Sequence, residues 1–477
     1  VAVPRNEKNP MTSPQNTAKG LIVAGTHTSV GKSSIAMGLM RCFRNRGHAV
    51  RPFKVGPDYI DPGHHQAASG RPGYNLDSWM CSPDYIRRLF ADVLDPGDLF
   101  VAEGVMGLYD GAHAVDETGT TAETARLLGI PVLLVIDGSC LARSAAALVQ
   151  GFAGFDPRIN VFGVIANRVN SPGHAAILQE AIEHYTDVRF LGYLPRKEEL
   201  QVSHRHLGLH TSREQADGIY EQWAQHVEEH VDVAALLESL PTVQTDAVSP
   251  KPPAPQRWKQ PADSRPFSVA VARDEALHFI YEDTLDLIRH YGGRIHFFSP
   301  LNDTALPEGV DWVYLPGGYP ELHAPKLSGN TGLLQAIRDF GHAGGLIVGE
   351  CGGLMLLGEA LIDADGTAHP MAGLFRFTTS MTGKKLTIGY RHLVYHPPDK
   401  AEESVSLKGH EFHFSGFDGN FEAPVMDAYI KGKESGFRDG YRFKNTFALY
   451  SHIYWGSSLE WFEYILTCTR HRKAYQK

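Results

Sequence analysis

The segment LIVAGTHTSVGKSS, residues 21–34, narrows the fold more than any other stretch of the chain. Aliphatic residues lead into Gly25, and after five intervening residues Gly31-Lys32-Ser33 opens a segment of helical period, in which Ile35, Leu39 and Phe43 recur every fourth position. Strand, glycine-bounded loop and helix in that order make a phosphate cradle. Backbone N–H groups turn inward around phosphate oxygens, and the helix N-terminus adds its positive end. Lys32 is suited to neutralise phosphate charge and Ser33 to hold Mg²⁺, with Thr28 and Ser34 beside them. The common pattern has four residues between its glycines, and here Thr26 stands where the first glycine is expected, with Gly25 one position earlier.

The same logic extends along the chain. GLIVAGT, HAVRPFKV, DLFVAEG, PVLLVID, NVFGVIAN and VRFLGYLP alternate with longer helical patterns. Short runs rich in Val, Ile and Leu are typical of strands buried on both faces of a parallel sheet. Residues 20–240 therefore read as an α/β nucleotide domain behind a polar leader over 1–19 that is expected to be disordered. Residues 241–265 carry six prolines and almost no apolar period, the composition of a semi-stiff linker. From 266 to 477 a second α/β domain is expected, with FSVAVARD, GRIHFFSP, VDWVYLPGG and GGLIVGECGG as its strands.

Bulk properties exclude several function classes. Net charge is −9 and no long Lys/Arg run occurs, so the footprint of a nucleic-acid binder is missing. Mean hydropathy is −0.23 and no apolar run is long enough to cross a bilayer, which makes a cytoplasmic protein the expectation. The five cysteines lack CxxC spacing, against both a disulfide framework and a zinc ribbon. In GHEFHFSGF (409–417), His410, Glu411 and His413 form the densest histidine cluster, but the second His comes one position too early for HExxH.

A Mg-nucleotide site needs acidic groups beyond the carboxyl edge of the sheet. KVGPDYIDPGHH offers Lys54, Asp58, Tyr59 and Asp61, and VAEGVMGLYDG offers Glu103 and Asp110. The plainer reading of Asp58 and Asp61 is that they shape a proline-containing turn. A second chemistry lies in GECGG (349–353), where small residues around Cys351 permit a tight strand-to-helix turn that presents a thiol nucleophile. Gly317 and Gly318 in YLPGGYPELHA could supply an oxyanion hole. His452 is the first choice of base, with His410 and His413 as competitors for that role or as supports.

Together, GTHTSVGKSS, PFKVGPDYIDPGHH, EGVMGLYDG, RSAAALVQGF, IANRVNSPGH, RHLGL, VARDEALHFIYEDTLDLI, LPGGYPELHA, GECGGLMLLG, GYR and GHEFHFSGF resemble the cobyrinic acid a,c-diamide synthase family across nearly all of 20–465. The resemblance implies a dethiobiotin-synthetase-like ATP domain joined to a class I glutamine amidotransferase domain. It further implies that Cys351, assisted by His452, releases ammonia from glutamine, and that ATP with Mg²⁺ activates a carboxylate of a tetrapyrrole as an acyl phosphate. Ser33, Asp58 and Glu103 become metal candidates. Asp58, Tyr59, Ile60, Glu103 and Asp110 are linked through the resemblance to substrate binding or to the order of amidation, with Lys54, Arg205 and Arg391 as candidate anchors for tetrapyrrole carboxylates. No nucleic acid or membrane partner is implied, and a homodimer is compatible with it. The chain departs from the family pattern in SHRHLGL (203–209) and HIYW (452–455). Those departures keep siroheme and nickel-sirohydrochlorin open as alternative acceptors. Readings of another class are a P-loop ATPase switch with a non-catalytic amidotransferase-like scaffold, and a metal-dependent hydrolase using the histidines.

Overall fold

In the computed structural model the described residues are 17–111, 114–197, 200, 204–205, 208–209, 218–245, 257–259, 265–398, 403–418, 423–431 and 436–475. The N-terminal domain is built on strands β1 (Thr17–Gly25), β2 (Val50–Val55), β3 (Tyr74–Leu76), β4 (Leu99–Glu103), β5 (Val132–Asp137), β6 (Val161–Asn167) and β7 (Arg189–Leu194). They lie side by side in the order β3-β2-β4-β1-β5-β6-β7, every pair parallel. The order reverses around β1, and ligands of such sheets bind at the carboxyl ends flanking a reversal. Helix α1 (Lys32–Asn45) turns Ile35, Leu39 and Phe43 inward, so the four-residue spacing becomes a buried face.

The second domain repeats the scheme with another connectivity. Strands Gly293–Phe298, Phe267–Ala272, Trp312–Leu315, Leu346–Glu350 and Thr446–Leu449 run parallel in that order, and Tyr441–Phe443 closes the edge antiparallel. Beside it stands an antiparallel sheet in the order Gly436–Asp439, Met426–Ile430, Thr387–Tyr395, Val405–His413, His452–Ile453. This second sheet, absent from the sequence reading, places His410 directly opposite His452.

The expected boundaries shift in two places. Strand β1 starts at Thr17, inside the stretch read as leader, because Thr242–Gln244 pairs antiparallel with its first residues. Within the proline-rich stretch, residues 257–259 are described and pack on both domains. Trp258 is buried and donates its indole N–H to the Gly456 carbonyl, and Arg257 meets Asp92, Asp283 and Asp286. The two domains share one core: Tyr85 donates to Asp283 and Tyr390 to Asp77 across the junction, while Tyr85, Tyr281 and Tyr454 belong to one apolar cluster. Among the described residues no helix is long and apolar enough to cross a membrane.

Candidate functional site

The phosphate loop has the strained backbone its chemistry requires. Gly31 has φ 106°, and a side chain there would drive a Cβ to 2.1 Å from the Asn167 amide nitrogen, so only glycine fits. Asn167 holds the loop from below by donating to the Val30 carbonyl at 2.8 Å, and Arg168 reaches the Ser29 carbonyl at 2.6 Å and Asp137 at 2.5 Å. Thr28, Gly31, Lys32, Ser33 and Ser34 line a cavity of about 1210 Å³. Gly25 lies below the lining, at the carboxyl end of β1, where its carbonyl accepts from the Leu108 N–H. Burial, and then Lys54, holds the Lys32 ammonium below its usual range.

Behind the loop lies a buried charge network. Glu103 Oε1 accepts from the Ser33 hydroxyl at 2.6 Å and from Lys54 Nζ at 3.0 Å, while Oε2 meets His65 Nε2 at 2.6 Å. Lys54 also donates to Asp61 at 2.5 Å. Burial alone would raise the Glu103 carboxyl, but Lys54, with His65 and Ser33, outweighs it and holds the group below its ordinary range. Burial opposes the charge of Lys54 too, and Asp61, Glu103 and Asp58 outweigh it, raising the ammonium above its normal range. Asp58 Oδ1 accepts from the Ile60 and Asp61 N–H groups at 2.8 and 3.1 Å, the turn-shaping role expected of such a residue, and its carboxyl is pushed up to about 7 by burial and by Asp61. Asp58, Tyr59, Ile60, Glu103 and Lys54 all line the cavity.

Two expected substrate contacts, Arg391 and Asp110, fall elsewhere. Arg391 is 4% exposed and donates to Glu411 at 2.7 Å inside the second domain; it does not line the cavity. A guanidinium so paired is not free to anchor a substrate carboxylate. Asp110 also stays out of the lining, its Oδ2 accepting from Gly107 N–H at 3.0 Å to shape the loop beside the phosphate cradle. The backbone of Arg205 pairs with Gly208, and its side chain lies outside the described residues. Lys54 reaches the cavity wall, but its ammonium is engaged by carboxylates of the protein itself. Asp61, one of the acidic groups offered by KVGPDYIDPGHH, and His65, unassigned by the sequence reading, complete the network; the adjacent histidines of DPGHH were the signal for His65.

The second centre assembles at the carboxyl ends of three neighbouring strands, Trp312–Leu315, Leu346–Glu350 and Thr446–Leu449. Cys351 ends the middle one with φ 48°, a left-handed backbone for a non-glycine residue, and its N–H donates to the Leu449 carbonyl at 2.7 Å. Strain of this kind marks a nucleophile held on a tight elbow. His452 follows the flanking strand, wholly buried, and packs against Gly317 so closely that a Cβ there would lie 2.2 Å from its Cε1. Gly318 comes next to Cys351's own turn, its N–H 3.1 Å from where a Gly352 Cβ would stand. His410 stacks on His452 with ring centroids 5.1 Å apart, and Tyr281 OH meets His410 Nδ1 at 3.2 Å. His413 stacks instead on Tyr450, and its Nδ1 meets the Ser415 carbonyl. The sequence left these three histidines in competition; the fold sets His452 against Gly317 and puts His410 behind it.

Burial, then Glu321, raises the Cys351 thiol, and burial with His410 and His413 holds the His452 imidazole well below its usual range. Both directions favour the uncharged forms, thiol and imidazole alike. Alkylation of Cys351 by iodoacetamide is expected to be slow at neutral pH and still accelerating above about pH 8.5, the value of an unperturbed thiol. A rate already level below pH 7 would mean an ion pair instead. A second expected result concerns the glycine: Gly317→Ala displaces His452 and lowers glutaminase activity by about 100-fold or more, read as glutamate release, while an unchanged rate would remove the ring from its place against Gly317.

Among the described residues, the group bringing three metal-type ligand atoms within 4.8 Å of one another is His226, Glu229 and His230, not the 410–413 cluster.

A nucleotide-binding domain fused to a domain that frees ammonia from glutamine defines a glutamine-dependent amide ligase. Residues 21–209 match the CobQ/CobB/MinD/ParA nucleotide binding domain and residues 268–459 the CobB/CobQ-like glutamine amidotransferase domain. The chain is 40% identical over 457 residues to the cobyrinate a,c-diamide synthase of Salmonella typhimurium, covering 94% of this chain and 98% of that protein. It is 43% identical over 403 residues to the hydrogenobyrinate a,c-diamide synthase of Brucella anthropi, covering 83% and 89%. The cobyrinate a,c-diamide synthase of Priestia megaterium is 36% identical over 450 residues, covering 93% and 95%. The chain belongs to the cobyrinate a,c-diamide synthase family and is a carbon–nitrogen ligase that takes its nitrogen from glutamine.

Proposed function

We propose that this protein amidates the a and c carboxylates of a cobyrinate-type tetrapyrrole, consuming one ATP and one glutamine for each amide. The observation that carries the reading is the cavity: one wall is the phosphate loop, and the facing wall, with Phe279, Ile388, Tyr390 and His410, comes from the glutamine domain. Its 1210 Å³ exceeds the roughly 300–1,000 Å³ of a pocket for one small ligand, in keeping with a nucleotide and a macrocycle side by side. Exposed apolar Ile388 and Met106 on its lining suit the face of a macrocycle.

In this reading the Cys351 thiol gives its proton to His452 and attacks the glutamine amide carbon. The oxyanion faces the N–H groups around Gly317 and Gly318, ammonia leaves with a proton returned by His452, and water resolves the thioester to glutamate. In the other centre the acceptor carboxylate takes the γ-phosphoryl group of ATP, and ammonia displaces phosphate to leave amide, ADP and phosphate. Lys32 and the loop N–H groups hold the phosphates. The donors at the wall are hard oxygens, which fits Mg²⁺: Ser33 Oγ and the Asp58 carboxylate would hold it, and Glu103, both oxygens already engaged, orients Ser33 from behind. Bound there, the ion would neutralise phosphate charge.

The relatives named above include synthases for both cobyrinate and hydrogenobyrinate, so acceptors with and without a central metal belong in the test. The protein is given ATP, Mg²⁺ and glutamine with cobyrinate, hydrogenobyrinate, sirohydrochlorin or siroheme, and the amides are counted by mass spectrometry. A diamide from either of the first two is the expected result. Preferential amidation of siroheme would replace the acceptor, and ATP turnover with no amide from any would favour the switch-and-scaffold reading.

A further inference from the structure

Three rings on the cavity lining, those of Tyr59, Phe279 and His410, also pack against the ring of His452, and Tyr59 alone of them comes from the nucleotide domain. Tyr59 belongs to the turn that follows β2 in the nucleotide domain, yet its ring reaches into the glutamine domain, 5.1 Å from the ring of His452. It lies flat on Phe279 at 5.3 Å with 3° between planes, 4.4 Å from Tyr281 and 5.5 Å from His410. The other side of the same residue lines the nucleotide cavity, whereas neither Cys351 nor His452 does. Ile60 joins Phe279 and Tyr319 in a small apolar cluster beside it. The partition between the cavity and the thiol is therefore aromatic, and Tyr59 is the part of it that the nucleotide domain supplies.

The ring is also tied to the phosphate site. Asp58 Oδ1 accepts from the N–H groups of Ile60 and Asp61, which locks residues 58–61 into one unit. Asp61 is held by Lys54, Lys54 by Glu103, and Glu103 by Ser33 at the phosphate loop. A cation arriving at Ser33 and Asp58 would compete with Lys54 for the carboxylates, and the phosphates would compete with those carboxylates for Lys54, so that a shift of Asp61 or Asp58 would carry Tyr59 with it. Ammonia is useful only while uncharged, and water reaching it would both protonate it and dilute it.

Building on the function proposed above, we propose that Tyr59 is the gate between the two centres: it closes the passage beside His452 while the nucleotide site is empty and withdraws when that site is loaded. Ammonia is then released into a cavity that already holds an activated acceptor. Tyr59 had been linked with acceptor binding through family resemblance, and its contacts with His452, Phe279 and Tyr281 point to this other task.

The test compares Tyr59→Ala with Tyr59→Phe in the full chain. Glutamate and amide are counted in the same reaction, and ammonium chloride replaces glutamine in a parallel series. Removing the ring should raise ATP-independent glutamate release by about tenfold and increase glutamine consumed per amide from near one to several. Glutamine-driven amidation should fall further than ammonium-driven amidation, and Tyr59→Phe, which keeps the ring, should stay coupled. Equal losses with both nitrogen sources and unchanged ATP-independent glutaminase would overturn the gate and return Tyr59 to the acceptor. Loss of glutaminase altogether in Tyr59→Ala would overturn it too, with Tyr59→Leu as the second truncation if the alanine chain is insoluble. If the wild-type chain amidates no tetrapyrrole, the functional reading fails by itself, and ATP-independent glutaminase in the alanine and phenylalanine variants still decides the gate.

Discussion

Cys351→Ala is expected to abolish glutamine-driven amidation, by about 10³-fold or more, while ammonium salts still support it. The asymmetry follows from the architecture. The thiol sits on the elbow between Leu346–Glu350 and the following helix, and the phosphate loop lies in another domain with its own sheet. Alanine removes the sulfur and adds no bulk, so the strand ends that hold Gly317 and His452 keep their places. Glutamate release would be lost, and amide formation from ammonium would measure the nucleotide domain alone. Glutaminase activity surviving in Cys351→Ala would remove Cys351 as nucleophile.

The second large effect belongs to Glu103→Gln. The amide keeps the shape of the carboxylate but takes away the charge that faces Lys54, His65 and the Ser33 hydroxyl. Breaking a buried pair in this way typically costs about 3–5 kcal/mol, because the partner charge stays behind without compensation. Lys54 keeps Asp61, so the lower half of that range is expected. The pH dependence has a definite sign. Glu103 is depressed, so its contribution is present above the unfolded carboxylate range and is lost only as pH falls through its folded value. Lys54 is raised, so its contribution is present below the unfolded lysine range and is lost only as pH rises through its folded value. Glu103 and Lys54 therefore both keep their charges across neutral pH, whereas Asp58, 3.9 Å from Lys54 and pushed up to about 7, changes charge within it, so a pH dependence of the variant's stability near 7 would report Asp58. Amidation should drop by about 100-fold with glutamine and with ammonium alike, with ATP-independent glutaminase retained. Amidation within a few-fold of wild type would take Glu103 out of the nucleotide site.

Much of this was legible in the residues themselves. Strands buried on both faces are uninterrupted apolar runs, which is why LIVAG, LFVAE and VLLVID each became a strand of the sheet. Tyr74–Leu76, three residues long, has no room for a pattern. The antiparallel sheet was missed because its strands mix polar and apolar residues, yet the burial of Arg391 against Glu411 was foreseeable. In Thr387–Tyr395 the buried positions are Arg391, Leu393 and Tyr395, alternate residues on one face. A period of two places the arginine on one inward face with Leu393 and Tyr395, where it needs a carboxylate of its own. Lys54 carried the same warning, since every position of VRPFKV is buried. The place of Tyr59 had no such signal: a contact between domains depends on how two sheets are set against each other, and periodicity within one element carries nothing about that.

Arg257 lies in the stretch connecting the domains and grips Asp92 on one side of the junction and Asp283 and Asp286 on the other. A cation shared in this way acts as a rivet, opposing any hinge that would separate the sheets. In the gate proposed above, traffic between the centres would then fall to side chains and short turns within a frame of fixed length. The covalent union of the halves has a corresponding meaning: two separate polypeptides would have to bring together, at every encounter, the aspartates that a single half-buried arginine already holds.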